Sequence, residues 1–141
     1  MQSYRRGIGV VFQDYKLLDW LTVKENIVYP LRIANLSQEE IDQKYNYVAD
    51  TLYLHKYADE KIPLLSDGYK QKVAIARALV NHPEFIMADE PTGNLDWEDT
   101  KRIADAFIDL HSKGVTILMV THDVHLIEYM KLKRELRVVN L

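Results

Sequence analysis

The chain is 141 residues long, with 48% hydrophobic and 28% charged residues, which predicts one globular domain with a hydrophobic core. Its formal net charge of −3 gives no overall positive field for nucleic acid or acidic lipid, so we expect no nucleic-acid partner. The absence of cysteine excludes disulfides and thiolate metal sites, and no apolar stretch is long enough to predict a secretory signal or a membrane span.

Short apolar segments predict the strands of a sheet. Residues 8–12 form a β-branched run, and residues 85–88 and 115–120 are similar. The last two show no clean alternation of polar and apolar residues, which favours strands that are covered on both faces, as in a parallel sheet. A weaker run at residues 137–139 predicts a final strand.

Helices are predicted between these strands. Capping boxes at Thr22 and Ser37 predict the start of two helices. A third helix is expected over residues 66–81, and a fourth from Asp96 to just before Gly114. The order is strand, a block of helices, then strand, helix, strand. It predicts an α/β core with a helical insertion.

The strand at residues 85–88 leads directly into two carboxylates. Ligands of open α/β sheets bind at the carboxyl ends of the strands, so Asp89 is placed to hold Mg²⁺ directly or through water. Glu90 follows it and could act as a general base on a water molecule. Taken alone, the pair could equally be a buried strand that runs into an acidic helix cap.

The predicted third helix opens with Leu-Ser-Asp-Gly at residues 65–68. The free N–H groups and the positive dipole end of a helix N-terminus attract phosphate. Ser66 could donate to such a phosphate, or it could be a helix cap and nothing more.

These segments stand in an order that resembles one family. Residues 89–96 read Asp-Glu-Pro-Thr-Gly-Asn-Leu-Asp, residues 65–79 resemble a signature helix, and residues 120–123 read Val-Thr-His-Asp. The combination is similar to the ATP-binding-cassette (ABC) ATPases, where these segments are the Walker B motif with its D-loop, the signature motif and the H-loop. The resemblance implies a P-loop NTPase (RecA-like) core with a mostly parallel sheet and an inserted ABC helical subdomain.

The resemblance also implies domain limits and site residues. Residues 1–13 would form a core strand and the Q-loop, residues 14–80 the helical subdomain, and residues 81–141 the rest of the core. The site residues on this side of the nucleotide would be Gln13 (nucleotide and metal), Asp89 (metal), Glu90 and His122 (both catalytic). ATP would be the substrate, with Mg²⁺ as cofactor.

Other residues would act on the nucleotide of a second ABC subunit, since family members form dimers. Ser66 and Gly68 would contact that nucleotide, and Asp96 would lie close to it near the dimer interface. Two positions depart from the family. Asp67 replaces the first glycine of the signature motif and Tyr69 replaces a Gln or Glu, which puts catalysis across the dimer in question.

A P-loop requires Gly-x-x-x-x-Gly-Lys followed by Ser or Thr, because its backbone N–H groups and lysine hold the phosphates. None of the five glycines fits that spacing. We therefore expect an N-terminally truncated cassette.

Within the family, the run Asp-Tyr-Lys-Leu-Leu at residues 14–18 is similar to ATPases of the cell-division FtsE type. This implies an integral membrane partner, an FtsX-like permease, and a cytoplasmic location at the inner face of the plasma membrane. Two alternatives stay open. One is a non-catalytic or fragmentary ABC module that acts only as an interaction partner, and the other is the ATPase of an exporter with another cargo.

Overall fold

The computed structural model describes residues 7–140 of the chain. The first six residues of the predicted segment 1–13 therefore lie outside the described residues. In chain order the elements are β1 (Ile8–Val11), α1 (Val23–Ile33), α2 (Gln38–Leu52), α3 (Asp67–Leu79), β2 (Phe85–Asp89), α4 (Trp97–Ser112), β3 (Thr116–Val120) and α5 (Val124–Lys133). Two short 3-10 turns, His55–Tyr57 and Ile62–Leu64, join α2 to α3.

The three strands form one parallel sheet in the order β1-β2-β3. In the shared register, Val11 lies beside Ala88, and Ala88 lies beside Met119. Parallel strands need long crossover connections, and here helices provide them. The block α1–α3 connects β1 to β2, and α4 connects β2 to β3. The predicted α/β class with a parallel sheet is confirmed.

The sheet is buried on one face only. Gly9, Val11, Ile86 and Ala88 are buried on the face that α3 covers. The other face is solvent-exposed along a row of large apolar side chains: Ile8, Met87, Leu118 and Val120. The prediction of strands covered on both faces is therefore wrong for the described residues. An apolar run without alternation shows that both faces suit burial, but it does not show what covers them.

The helical block follows the local sequence signals closely. The Thr22 side chain caps α1 by accepting from the N–H of Glu25 at 3.2 Å, while the Glu25 carboxylate accepts from the N–H of Thr22 at 2.7 Å. That backbone hydrogen bond holds the pKa of Glu25 below its ordinary value. Ser37 and Glu40 form the same reciprocal pair at α2. Both predicted capping boxes are present, and all of α1–α3 lies within the predicted helical segment 14–80.

The predicted strand at residues 137–139 is not formed. The chain after α5 has no regular secondary structure as far as residue 140, and Val138 and Val139 are exposed. A strand needs a partner, and this short β-branched run pairs with none of the three described strands. Within residues 7–140, no helix combines the length and apolar character that crossing a membrane requires.

Helix α3 lies very close to β1 at Gly9. A Cβ atom at Gly9 would stand 2.6 Å from the backbone oxygen of Ala78 and 3.1 Å from Cγ of Pro83. The first of these neighbours is backbone, so it cannot turn away as a flexible side chain could. Only glycine fits between the sheet and this helix.

We predict that Gly9→Ala destabilises the chain by about 1–3 kcal/mol, because α3 or β1 must shift to relieve the contact. Urea unfolding followed by circular dichroism measures the loss. Gly93→Ala is the matched control, since a Cβ there meets its nearest atom at an ordinary 3.6 Å. Equal unfolding free energies for the two variants would contradict the prediction.

Candidate functional site

The carboxyl ends of the three strands lie at one edge of the sheet and bring several predicted residues together. Asp89 is the last residue of β2, and Glu90 follows it. Gln13 lies two residues beyond the end of β1, and His122 two residues beyond the end of β3. This edge is where open parallel sheets bind their ligands.

Glu90 is held in place by the end of β3. Its N–H donates to the carbonyl of Val120 at 2.8 Å. One carboxylate oxygen accepts from the backbone N–H of His122 at 2.9 Å, and the other from the hydroxyl of Thr121 at 3.3 Å. Glu90 has a φ of 46°, a left-handed conformation that is unfavourable for a residue with a Cβ. Such strain is commonly found at functional sites, where surrounding contacts impose it.

His122 approaches the same carboxylate with its ring. Its Nε2 lies 3.7 Å from Oε1 of Glu90, and its side chain is 96% exposed. The ring therefore faces open space next to the carboxylate rather than the core. The structure places the two predicted catalytic residues side by side.

Thr121 is a further candidate site residue, which the sequence reasoning missed. Its hydroxyl donates to Glu90 and accepts from the N–H of Asp123 at 3.0 Å, while Asp123 caps α5. The hydroxyl thus links the Glu90 carboxylate to the start of the next helix. In the sequence, Thr121 is visible as a hydroxyl residue between the strand and the histidine. That position alone does not distinguish a site residue from an ordinary turn residue.

Asp89 offers an exposed carboxylate at the strand end. The described residues contain no group of three or more His, Cys, Asp or Glu side chains that could enclose a metal ion. Mg²⁺ is commonly held by one or two protein oxygens together with phosphate and water. The oxygen donors of Asp89 and of the Gln13 amide, which is also exposed, therefore fit Mg²⁺ in its usual form.

The start of α3 packs against the D-loop, residues 91–96. Ser66 caps α3 by accepting from the N–H of Tyr69 at 3.4 Å. A Cβ at Gly68 would lie 3.3 Å from the carbonyl oxygen of Asn94. The buried amide of Gln71 donates to the carbonyl of Pro91 at 2.7 Å. Gly68 therefore lies beside the D-loop, and Ser66 lies two residues before Gly68 at the N-cap of α3.

Asp96 caps α4, and its side chain accepts from the N–H of Asp99 at 2.8 Å. The residue is also exposed. The capping bond accounts for one carboxylate oxygen, and exposure leaves the carboxylate accessible from outside the chain. Its predicted contact with nucleotide stays a prediction.

Tyr69, one of the two departures from the family pattern, packs within the molecule. Its ring lies 4.3 Å from that of Tyr57, and Nζ of Lys72 lies 4.6 Å from its centroid. A hydrogen bond with Tyr57 is the main cause that raises the pKa of Tyr69 to about 12. Lys72 is itself buried and pairs with Asp99 at 2.8 Å. Asp67, the other departure, is exposed at the first position of α3.

Residues 13–18, which begin at Gln13 and are called the Q-loop from here on, are contacted by side chains that the sequence reasoning did not select. Arg77 of α3 donates to the carbonyls of Tyr15 and Lys16 at 2.9 and 2.6 Å. Asn94 of the D-loop donates to the Tyr15 hydroxyl at 2.5 Å. The sequence did contain a sign that Arg77 has a specific partner, because its long cationic side chain stands inside the apolar stretch of α3.

A comparison with family models matches residues 1–93 to the ABC transporter family. The chain is 42% identical over 120 residues to the ABC transporter ATP-binding protein YvcR of Bacillus subtilis, covering 84% of this chain and 46% of that protein. It is 39% identical over 127 residues to the cell division ATP-binding protein FtsE of the same organism, covering 90% and 56%. The chain spans about half the length of the curated relatives that it matches.

A third relative is named for a different function. The spermidine/putrescine import ATP-binding protein PotA of Trichodesmium erythraeum is 41% identical over 122 residues, covering 86% of this chain and 32% of that protein.

Solved structures give the same result. The chain superposes on the dimeric structure of MJ0796, described as a bacterial ABC transporter cassette, with a TM-score of 0.83 and 36% identity, covering 91% of this chain and 58% of that one. A second structure of MJ0796, bound to ADP and phosphate, has the same TM-score. The family match, these relatives and the arrangement of Asp89, Glu90 and His122 agree, and the chain belongs to the ABC transporter ATP-binding family.

Proposed function

We propose that this chain is the part of an ATP-hydrolysing ABC subunit that activates the attacking water. The main support is the Glu90 carboxylate, which two neighbours on the end of β3 hold beside Asp89. A carboxylate fixed next to a metal-binding carboxylate is the arrangement that water-mediated phosphoryl transfer requires.

Each side chain has a separate task in this proposal. Glu90 accepts the proton of the attacking water at a carboxylate oxygen. The exposed ring of His122 contacts the terminal phosphate. Asp89 and Gln13 would hold Mg²⁺, which would neutralise phosphate charge. The hydrogen bonds from Thr121 and from the His122 backbone to Glu90 reduce the freedom of the carboxylate.

A second copy of the subunit is part of the proposal. Ser66 and Gly68 would contact ATP held by the opposite subunit, with Asp96 at the interface. Support comes from the similar cassette MJ0796, which was solved as a dimer. The signature helix and the D-loop are already in contact within one chain through Gln71 and Pro91. Closure of a dimer would therefore move both segments together.

We further propose an FtsX-like membrane partner, with the subunit on the cytoplasmic side of the membrane. A groove of about 390 Å³ lies beside the Q-loop and is lined by Leu18, Leu21, Trp20, Glu25, Tyr29, Arg32 and Ile33. Trp20 and Ile33 are 70% and 68% exposed. Exposed large apolar side chains with a rim of charge are typical of a protein-binding surface.

The most specific part of the proposal is a role in cell division. The run at residues 14–18 and several FtsE relatives at about 40% identity support it. However, PotA is equally similar at 41% identity, so overall identity does not separate cell division from transport of a cargo. An import or export ATPase with a different cargo is therefore the alternative. A non-catalytic interaction module is a second alternative, which the Asp67 replacement favours.

We expect the 141-residue chain by itself to bind ATP weakly or not at all, because the P-loop normally provides most phosphate contacts. Isothermal titration with Mg-ATP measures this. The control is the completed cassette, meaning this chain preceded by the P-loop portion of one of its relatives, which we expect to bind. Tight, Mg-dependent binding by the chain alone would contradict the prediction.

In the completed cassette, we expect Glu90→Gln to slow hydrolysis by roughly 10² to 10⁴-fold while ATP binding persists, since only the base is removed. The variant should accumulate as an ATP-bound dimer in sedimentation. Asp89→Asn is the matched control and should weaken Mg-dependent binding instead. Unchanged turnover in the Glu90 variant would show that this residue is not the base.

Asp67→Gly should have opposite effects on stability and on dimerisation. A carboxylate in the first turn stabilises α3 by about 0.3–1 kcal/mol, so the chain should unfold at a slightly lower temperature. The same carboxylate should repel the phosphate of a second subunit, so the completed Glu90→Gln cassette should dimerise more readily once it is removed.

Sedimentation with ATP at increasing salt tests the repulsion. The gain from Asp67→Gly should shrink as salt screens the charge. Glu39→Gly, which removes an acid from the first turn of α2, is the control and should not promote dimerisation. Equal dimer fractions with and without Asp67 at every salt concentration would rule the repulsion out.

A further inference from the structure

The Q-loop has an unusual backbone between β1 and α1. Tyr15 and Lys16 have φ values of 64° and 52°. Two consecutive residues with a Cβ in the left-handed region are unfavourable, because the Cβ crowds the neighbouring carbonyl. Such a conformation persists only where other contacts impose it.

Arg77 provides two of these contacts. Its guanidinium donates to the carbonyl oxygens of Tyr15 and Lys16, at 2.9 and 2.6 Å. Burial lowers the pKa of Arg77, so its position has an electrostatic cost that the two hydrogen bonds offset. A planar guanidinium with several fixed donors can satisfy two consecutive carbonyls, whereas an ammonium group is a single point of contact.

The Tyr15 side chain makes the third contact, to the D-loop. Its hydroxyl accepts from the amide of Asn94 at 2.5 Å. Burial, followed by the negative charge of Asp67, raises the pKa of Tyr15 above its ordinary value. The hydroxyl therefore stays protonated through neutral pH, and the hydrogen bond with Asn94 keeps the same form there.

The far end of the Q-loop is fixed from α1. The fully buried Asn26 accepts from the N–H of Leu18 at 2.8 Å and donates to the Leu18 carbonyl at 3.0 Å. Leu18 also lines the exposed groove beside the loop. One short segment thus joins that groove to the D-loop, with Leu18 at one end and the Tyr15–Asn94 hydrogen bond near the other.

We propose that Tyr15 and Arg77 are positioning residues, and that together with Asn94 they form a latch which holds the Q-loop against the D-loop. The latch fixes the direction in which Gln13 leaves β1, and it makes a displacement at the groove change the position of the D-loop. The part of this proposal that concerns hydrolysis rests on the proposed function. The latch itself does not.

Trypsin tests the latch in the 141-residue chain, because Lys16 is exposed and offers a cleavage site inside the Q-loop. Cleavage of a folded protein follows the population of the locally opened state. Tyr15→Phe removes only the hydroxyl, and we expect the initial rate of cleavage after Lys16 to rise about two- to tenfold, as for loss of one hydrogen bond. Cleavage after Lys113 in the same chain is the internal reference.

Arg77→Met should raise cleavage after Lys16 further, since two hydrogen bonds are lost, and Arg77→Lys should restore part of the protection. Tyr129→Phe is the matched control, because it removes a hydroxyl that is bonded to Asp105 at 3.0 Å on another side of the molecule. It should leave cleavage after Lys16 unchanged.

A double-mutant comparison identifies the Tyr15–Asn94 bond itself. Asn94→Ala should have the same effect as Tyr15→Phe, and the double variant should be no more sensitive than either, since both changes remove one interaction. Both single changes remove only exposed or half-buried polar atoms, so they remain informative if Arg77→Met does not fold. Unchanged cleavage in the single variants, or a double variant equal to the product of their effects, would overturn the latch.

Kinetics of the completed cassette test the positioning role. With rates expressed per bound nucleotide, Tyr15→Phe should lower kcat about two- to tenfold and leave KM for ATP within about twofold. A folding defect alone would not change kcat per bound nucleotide. Faster trypsin cleavage with an unchanged kcat would overturn the positioning role. If the completed cassette hydrolyses no ATP even without substitutions, the proposed function fails, while the trypsin result still decides the latch.

Discussion

The pairing of β2 with β3 is the constraint on which the candidate site depends. Parallel pairing places the carboxyl ends of both strands at one edge of the sheet, and the bond from Glu90 N–H to Val120 continues that pairing one residue beyond β2. Because Glu90 is held there in a left-handed conformation, its carboxylate turns toward the backbone of His122. In the proposed function, Glu90 is thus a base that is oriented in advance and needs little rearrangement when a water molecule and a phosphate arrive.

Helix α3 connects the two loops that flank this edge. Its buried Gln71 contacts the D-loop backbone, and its Arg77 contacts the Q-loop backbone, so one rigid element with two polar side chains sets the spacing of both. Gly9 allows the same helix to lie against β1. A rotation of α3 would therefore displace the D-loop, at the carboxyl edge of the sheet, together with the Q-loop beside the groove, because the contacts are with backbone rather than with mobile side-chain tips.

Local signals made much of the molecule predictable. The capping boxes at Thr22 and Ser37 depend only on neighbouring residues, and the helix starts that they predicted are confirmed. The acidic end of β2 is a local pattern too, and the site predicted there stays a prediction. Features that depend on distant segments were not predictable. The exposed sheet face, the missing strand at residues 137–139 and the packing of Tyr69 all depend on which other elements are present. The contacts of Arg77 with the Q-loop join residues more than sixty positions apart, and no pattern in a single sequence encodes such a distance.

The exposed sheet face has a thermodynamic consequence. Met87, Leu118 and Val120 are already about half hydrated in the folded chain, so unfolding hydrates less new apolar surface than it does in a domain of this size with a sheet covered on both faces. The heat capacity change of unfolding scales with newly hydrated apolar area. The chain should therefore have a small heat capacity increment for its length, and its stability should vary with temperature along a comparatively shallow curve.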